Sequence, residues 1–437
     1  MHQHHPSFRE ALRFWVRLGF ISFGGPSGQI AIMHQELVER RKWISNGRFL
    51  HALNYCMLLP GPEATQLAIY IGWLLHRTWG GIVAGALFVV PAIFILWALS
   101  YVYVAYGTLA WVAAIFSGLK PAVVAIVAAA VLRIGKKALR NSLMWLIAAG
   151  AFLALFVLHA PFPLVILIAC LTGFVGGRIR PDLFKPERHG HGGGESAVLA
   201  DSDRSPAHTL PSGPRAIRQT LIGLALWWGP VFAAKLLAPG TPALYREGIF
   251  FSKAAMVTFG GAYAVLPYVA QRAVEHHQWL TAGQMIDGLG LAETTPGPLI
   301  MVLQFVGFMG GWNQPGPLPP LGAATLGALM TTWVTFVPCF LWIFLGAPYI
   351  ERLRENRDLG AALSAVTAAV VGVVLNLAIW FGAQVLFPGR VLNLFGVVLA
   401  AVVFIGMSRW KWGIVPVVLG SALAGLARWL ILYGYGS

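Results

Sequence analysis

Charge is scarce in this chain of 437 residues: Asp, Glu, Lys and Arg supply 11% of it, and only 16 residues are acidic against 31 basic. Apolar residues fill 57%, which excludes an ordinary soluble multidomain protein and points to a membrane protein. Cysteine is almost missing. Cys56, Cys170 and Cys339 stand singly in apolar segments with no C-x-x-C, so neither a disulfide framework nor a zinc site is implied. Nucleotide and hydrolase signatures are missing as well. Gly135-Lys136-Lys137 lacks the upstream glycine and the following Ser/Thr of a phosphate loop, and neither H-E-x-x-H nor G-x-S-x-G occurs. No catalytic residue, metal or cofactor is therefore expected. The N-terminus lacks a signal-peptide layout; Phe8 to Phe20, with Arg9, Arg13 and Arg17 at four-residue spacing, reads as an interfacial amphipathic start. His2, His4, His5, His189 and His191 read as solvated tail and linker residues.

What is abundant is apolar length. Runs of spanning size recur, among them Gly80 to Tyr101, Val112 to Leu132 and Leu363 to Leu386. Seventeen tryptophans suit interfacial belts, and Trp43 and Trp279 read as anchors at that level. The net charge of +15 sits in short loops between apolar runs, so it reads as a topology signal and not as a nucleic-acid surface; the expected partner is the lipid bilayer.

The chain is a tandem duplication. Phe23-Gly24-Gly25-Pro26 and Pro60-Gly61-Pro62-Glu63 return 236 positions later as Phe259-Gly260-Gly261 and Pro296-Gly297-Pro298, and the same offset carries Glu39 to Glu275 and Trp43 to Trp279. After the insert Gly311 to Pro320 the offset becomes 247, pairing Pro91 with Pro338. The expected organisation is an N-terminal repeat at 1–177, a flexible cytoplasmic linker at 178–219, a spacer helix at 220–238 and a C-terminal repeat at 239–437.

Basic residues sit at 40–48, at Arg77 and at 133–140 in the first repeat, while 102–111 has none. In the second repeat the loop matching 102–111, Glu351 to Arg357, is strongly basic, and the loop matching 133–140 holds only Arg390. Equivalent loops would then face opposite sides of the membrane, the pattern of inverted-topology repeats in secondary transporters. The fold class expected is an all-α polytopic membrane protein of two such repeats, with helices broken or re-entrant at the Gly-Gly and Pro-Gly-Pro motifs. Four full spans per repeat plus the spacer follow if those segments are re-entrant hairpins. Thirteen spans follow if they cross, but the basic loop at 133–140 then falls outside.

Unpaired backbone groups cost several kcal/mol in hydrocarbon, so broken helices persist where they line a cavity or are buried in protein. Half-helix N-termini present free N–H groups and a positive dipole end, which suits an anion. The plainer alternative is that these glycines only permit close helix packing. Ionisable residues near the breaks sharpen the anion reading: Glu63 follows Pro62, Glu293 precedes Pro296, and Lys120 and Asp287 lie in or beside apolar runs. A buried glutamate could carry a proton, or merely cap a helix; Lys120 could hold an anion, or snorkel. Gln29, Gln66 and Thr295 are uncharged donors near the breaks. Each charge crossing 100 mV is worth ~2.3 kcal/mol, so a dianion leaving a negative-inside cell gains roughly 5 kcal/mol per 100 mV.

Phe23-Gly24-Gly25-Pro26, the Glu39 and Trp43 pair, Leu59-Pro60-Gly61-Pro62-Glu63 with Gln66, and Phe259-Gly260-Gly261 with Thr295-Pro296-Gly297-Pro298 resemble the two halves of long-chain members of the chromate ion transporter family. The resemblance covers nearly everything outside the linker. It implies a bacterial inner-membrane protein that exports chromate and confers chromate resistance, by antiport with protons or by using the membrane potential. It also implies that the essential positions are these glycines and prolines with Glu63 and Gln66. The second copy departs at two of them, with Ala262 for Pro26 and Leu299 for Glu63. A sulfate or other oxyanion carrier stays open, as do an intramembrane enzyme using Glu63 and Glu293 as acid and base, and a homodimer.

Overall fold

A computed structural model describes residues 5–23, 25–184, 210–259, 261–349 and 357–433. Most of the linker, the basic loop at 351–356, Gly24 and Gly260 lie outside the described residues. The first repeat comprises α1 (Phe8–Ile21), α2 (Gly25–His34), α3 (Asn46–Leu58), α4 (Glu63–Tyr106), α5 (Ala110–Ala138), α6 (Ser142–Phe156) and α7 (Phe162–Ile179). Helix α8 (Gly213–Leu237) precedes the second repeat: α9 (Pro242–Met256), α10 (Ala262–Gln271), α11 (Ala282–Thr294), α12 (Val302–Asn313), α13 (Pro320–Gly346), α14 (Arg357–Leu386), α15 (Leu394–Arg409) and α16 (Ile414–Tyr433). The spacer helix thus starts seven residues before Thr220, and Phe184, in the stretch read as linker, is buried beside Met144, Ala361 and Ala365.

Among the described residues seven helices, α4, α5, α7, α8, α13, α14 and α16, are long and apolar enough to cross a membrane, and α6, α12 and α15 are shorter apolar helices. The protein is an all-α, multi-pass membrane protein. The segments around the breaks are different in kind. Helix α1 has 14 residues and α3 has 13, so each rises roughly 20 Å against a hydrocarbon core of about 30 Å.

Both broken segments of the first repeat are hairpins whose arms begin and end together. Trp43, beyond the π-helical end of the second arm, packs edge-on against Phe14 of α1 with centroids 5.4 Å apart. The next hairpin starts at α3, where Asn46 meets His34 at 2.9 Å, and descends through residues 63–75 of α4. It ends at a sharp turn, His76 and Arg77, the latter at φ 56°, and His76 lies 3.0 Å from the Pro6 carbonyl. From there α4 folds back on itself: Gly72 packs against Gly80, and Gly85 against Ile69. The second repeat does the same. Asn313 donates to the Trp279 carbonyl at 2.8 Å, Gln314 to that of His277 at 3.0 Å, and Gly316 abuts the Gly240 carbonyl beside the start of α9.

Phe8 to Phe20 is the first arm of a hairpin and is amphipathic: it buries Phe14, Trp15 and Leu18, its Gly19 abuts the Leu87 carbonyl of α4, and Arg9, Arg13 and Arg17 are exposed. Trp43 and Trp279 are not interface anchors. They are 4% and 0% exposed, because each closes the base of a hairpin against the repeat-equivalent Phe14 and Phe250.

The two repeats meet head to head. Residues 78–106 of α4 pack along α13 with Gly81 on Phe344, Gly85 on Phe340, and Trp97 donating to Thr325 at 3.0 Å, so partners run in opposite order. These two helices are repeat equivalents, and they are antiparallel. Gly118 of α5 lies against Gly425 of α16, and the equivalent helices, α14 and α7, are also in contact, at Ala365 and Gly173. Such exchange of partners is what a two-fold relation produces. The hairpin bases of repeat one and those of repeat two thus lie at opposite ends of the molecule. Helix α5 starts beside the far end of α4, where Tyr103 meets Phe116 at 5.0 Å, so its basic C-terminal end returns to the end holding residues 40–48 and Arg77.

Candidate functional site

The tips of the hairpins carry the breaks, and the sequence explains the shape of each. In Pro-Gly-Pro the prolines remove amide donors while the glycine takes a left-handed backbone: φ is 124° at Gly61 and 112° at Gly297. Gly25 and Gly261 are at 69° and 94°. The amide of Gly61 donates across the repeats to the Thr258 carbonyl at 2.8 Å, and that of Gly297 donates to the Ser22 carbonyl at 2.8 Å. Ser22 and Thr258 are repeat equivalents, so the two bonds are the same bond made twice in exchanged directions. The four breaks are thereby sewn into one plane in the middle of the molecule. Gly261 also faces Pro26 across it: a side chain there would begin 3.9 Å from the Pro26 ring.

Four helix starts point into that plane: α2, α4, α10 and the short 3₁₀ turn Leu299–Met301 that leads into α12. Side-chain caps are not universal among the helices: the starts of α5, α7, α8, α9 and α13 have none. Helices α1, α3, α6 and α11 start on Ser7, Ser45, Asn141 and Thr281, whose side chains accept from the first turn. The starts at Glu63, Ala262 and Leu299 follow Pro62, Gly261 and Pro298, with no side-chain cap. No side chain caps the first turn at these breaks, and helix starts of this kind suit an anion.

The side chains expected at the site gather here, with Gly24 and Gly260 outside the described residues and one further exception. Gln29 is 1% exposed and donates to the Gly297 carbonyl; Gln66 donates to the Pro60 carbonyl at 2.8 Å. Each keeps its amide oxygen unpartnered, as does the hydroxyl of Thr65, among the described residues. Glu63 is 9% exposed with no ion-pair partner among the described residues; the charge of Lys137 reaches it, as that of Arg133 reaches Glu293. Glu293 accepts from Tyr263, and Thr295 donates back to Leu291 at 2.8 Å. The exception is Lys120. It lies on the other side of the plane, 3.4 Å from Asp287, whose same oxygen accepts from Tyr103 at 2.9 Å. This pair joins α5 of one repeat to α11 of the other.

Three polar residues escaped the sequence reading. Nothing in the sequence marks Tyr103 and Tyr263, and only the fold sets their hydroxyls on Asp287 and Glu293. Glu247 is wholly buried in α9. Its position within a short amphipathic helix could have flagged it.

Comparison with known proteins agrees with this construction. The chromate transporter family model matches residues 9–174 and 247–426. A chromate transport protein of Cupriavidus metallidurans is 28% identical over 98% of this chain and 94% of its own length. Another from Pseudomonas aeruginosa is 30% identical, covering 98% and 94%, and a probable chromate transport protein of Synechococcus elongatus is 28% identical, covering 97% of each. No solved structure matches. With both halves of the chain matched by one family model, the protein belongs to the chromate transporter family.

Proposed function

We infer that this protein carries chromate across a membrane, binding the dianion where the uncapped helix starts of both repeats converge. The observation that carries this reading is the reciprocal pair of bonds from Gly61 to Thr258 and from Gly297 to Ser22, which holds four breaks together without using up the donors of the helix starts. A tetrahedral dianion needs donors from several directions and no countercharge of its own, and convergent helix starts supply both. Gln29, Gln66 and Thr65 add polar groups at the rim, and Arg133 and Lys137 on α5 make one approach to it positive.

We further propose that the repeats lie inverted in the bilayer and that the end carrying residues 40–48, Arg77 and 133–140 faces the cytoplasm, in line with the concentration of Lys and Arg there. Alternating access then amounts to opening the hairpins of one repeat while those of the other stay closed. The bacterial inner membrane is the setting this reading requires. The direction is export, driven by the membrane potential or by exchange with protons. Chromate uptake into everted vesicles bearing the protein tests it, with potential and pH gradient imposed separately and with excess sulfate. Saturable accumulation that sulfate barely inhibits is expected. Full suppression by sulfate would replace chromate with a general oxyanion as the substrate, and no accumulation under either gradient would sink the transport direction proposed.

A further inference from the structure

Glu247, in the second turn of α9, is a buried carboxyl that the anion site leaves unused. It is 0% exposed, and neither oxygen has a hydrogen-bond partner among the described residues. Helices α12 and α13 close over it with glycine: Gly310 lies against Oε1 and Gly327 against Oε2, and any side chain at either would collide with the carboxyl. The indole N–H of Trp279, also beside Gly310, is unpartnered as well. On one side the carboxyl borders a cavity of about 10 Å³ lined by Thr241, Gln314 and Pro315 among apolar residues, room for about one water.

Among the described residues no cation neutralises it. On α9 itself the charged or titratable neighbours are Tyr245, Arg246 and Lys253, and on α8 Lys235 sits over the Tyr245 ring at 5.4 Å. From α10 and its π-helical end come Tyr263, Tyr268, Arg272, Glu275, His276 and the adjoining His277; α12 and α13 contribute only the Cys339 thiol. None of these hydrogen-bonds or ion-pairs with Glu247 among the described residues. An ionised carboxylate so placed carries an uncompensated desolvation cost of several kcal/mol, whereas the neutral acid does not. A metal cation is the wrong occupant: Ca²⁺ takes about six to eight oxygens and Mg²⁺ about six, and here one carboxyl stands among glycines and aromatic carbon. The fold does not need a carboxyl at this point, since the repeat-equivalent residue, Ala11, packs at 2% exposure in the same role.

We propose that Glu247 is a proton-binding site, filled when the seam between α9, α12 and α13 is closed and emptied when that seam opens to water. Resting on the transport reading above, this makes Glu247 the group through which a pH gradient acts on the carrier. The site lies near the hairpin bases of repeat two, so its proton exchanges with the side opposite the basic end. Because the closed chain holds the acid form and the unfolded chain releases it, the stability Glu247 contributes is present at acid pH and lost as pH rises.

Two measurements on the full-length protein test this. Thermal unfolding of wild type and Glu247→Gln is followed across pH; wild type is expected to lose stability toward alkaline pH, and the variant to lack that component. Parallel profiles would overturn the proposal. Should Glu247→Gln fail to fold, Glu247→Ala, the residue the other repeat carries, serves instead. In proteoliposomes with the potential clamped, Glu247→Gln is expected to lose the chromate accumulation that a pH gradient drives, and retention of it would equally overturn the assignment. If wild type itself moves no chromate, the transport reading fails, while the unfolding profiles still decide whether Glu247 holds a proton.

Discussion

The two repeats share a backbone and almost none of their polar chemistry. Ser22 and Thr258 each donate back to the residue four before, at 2.6 and 2.7 Å; Trp43 and Trp279 each donate to the repeat-equivalent carbonyls of Leu37 and Ala273, at 2.8 and 2.9 Å. Even Lys42 and Gln278 share a left-handed φ, 52° and 53°. Yet Gln29, Glu63 and Gln66 face Val265, Leu299 and Val302 at the equivalent places, and Glu247, Asp287 and Glu293 face Ala11, His51 and Met57. On the alternating-access reading proposed above, matched hinges are needed in both halves, which accounts for the duplicated breaks. On the same reading the ligands and gates are needed only once, because an anion bound between the halves would belong to both.

The largest effect expected follows from the matched part. Gly61→Ala and Gly297→Ala each force a side chain into a left-handed backbone, costing about 1–2 kcal/mol from conformation alone. Contact adds to this: the new carbon would lie 3.0 Å from Cys339 Sγ in one case and 2.7 Å from Ala92 Cβ in the other. Both should abolish chromate uptake into everted vesicles at normal membrane abundance, and to the same degree. One variant that transports normally while the other is dead would break the equivalence of the repeats.

How much of this was legible beforehand divides along the same line. The breaks and the duplication could be read because glycine and proline inside apolar runs have few explanations, and an offset of 236 repeats them in register. The hairpins could be anticipated from the basic residues at 133–140. What stayed hidden depends on contact. Trp43 and Trp279 read as surface anchors because the sequence cannot tell that Phe14 and Phe250 fold back over them. Lys120 stood near the anion site in the one-dimensional picture, and only the packing of α5 on α11 gives it to Asp287. Glu247 has no hydrogen-bond or ion-pair partner among the described residues, and lack of a partner has no sequence signature.

A middle-sized effect tests the unmatched part. The Lys120–Asp287 pair bridges the repeats on one side of the breaks; on the other, the equivalent positions hold Thr367 and His51, and Thr367 carries no charge. Asp287 is the buried partner, 5% exposed at its side chain against 34% for Lys120. Lys120→Met should therefore destabilise by about 1–3 kcal/mol, through a carboxylate left with Tyr103 alone. Lys120→Met with Asp287→Asn should recover most of that loss, and a double-mutant cycle on unfolding midpoints gives the coupling directly. Additive single effects would mean the two groups are neighbours without being a latch.

The smallest effect concerns charge at the hairpin bases, where the repeats are reversed in sign. Arg41 lies over Trp43 at 5.0 Å with Glu36 3.5 Å and Glu10 4.0 Å away; their equivalents in repeat two are His277, stacked on Trp279 at 4.3 Å, with Arg272 and Arg246. Burial, followed by the charges of His276, Arg246 and Arg272, holds His277 at about 4, below the ordinary 6.5. The unfolded chain therefore takes up a proton near 6.5 that the folded chain refuses until about 4, so the stability owed to a neutral His277 is complete above 6.5 and lost as pH falls toward 4. His277→Phe should flatten the unfolding midpoint across that window. His277→Arg, which copies repeat one, should lower the midpoint at neutral pH until Arg246→Glu and Arg272→Glu are added, because an arginine is tolerated on that tryptophan only where carboxylates flank it.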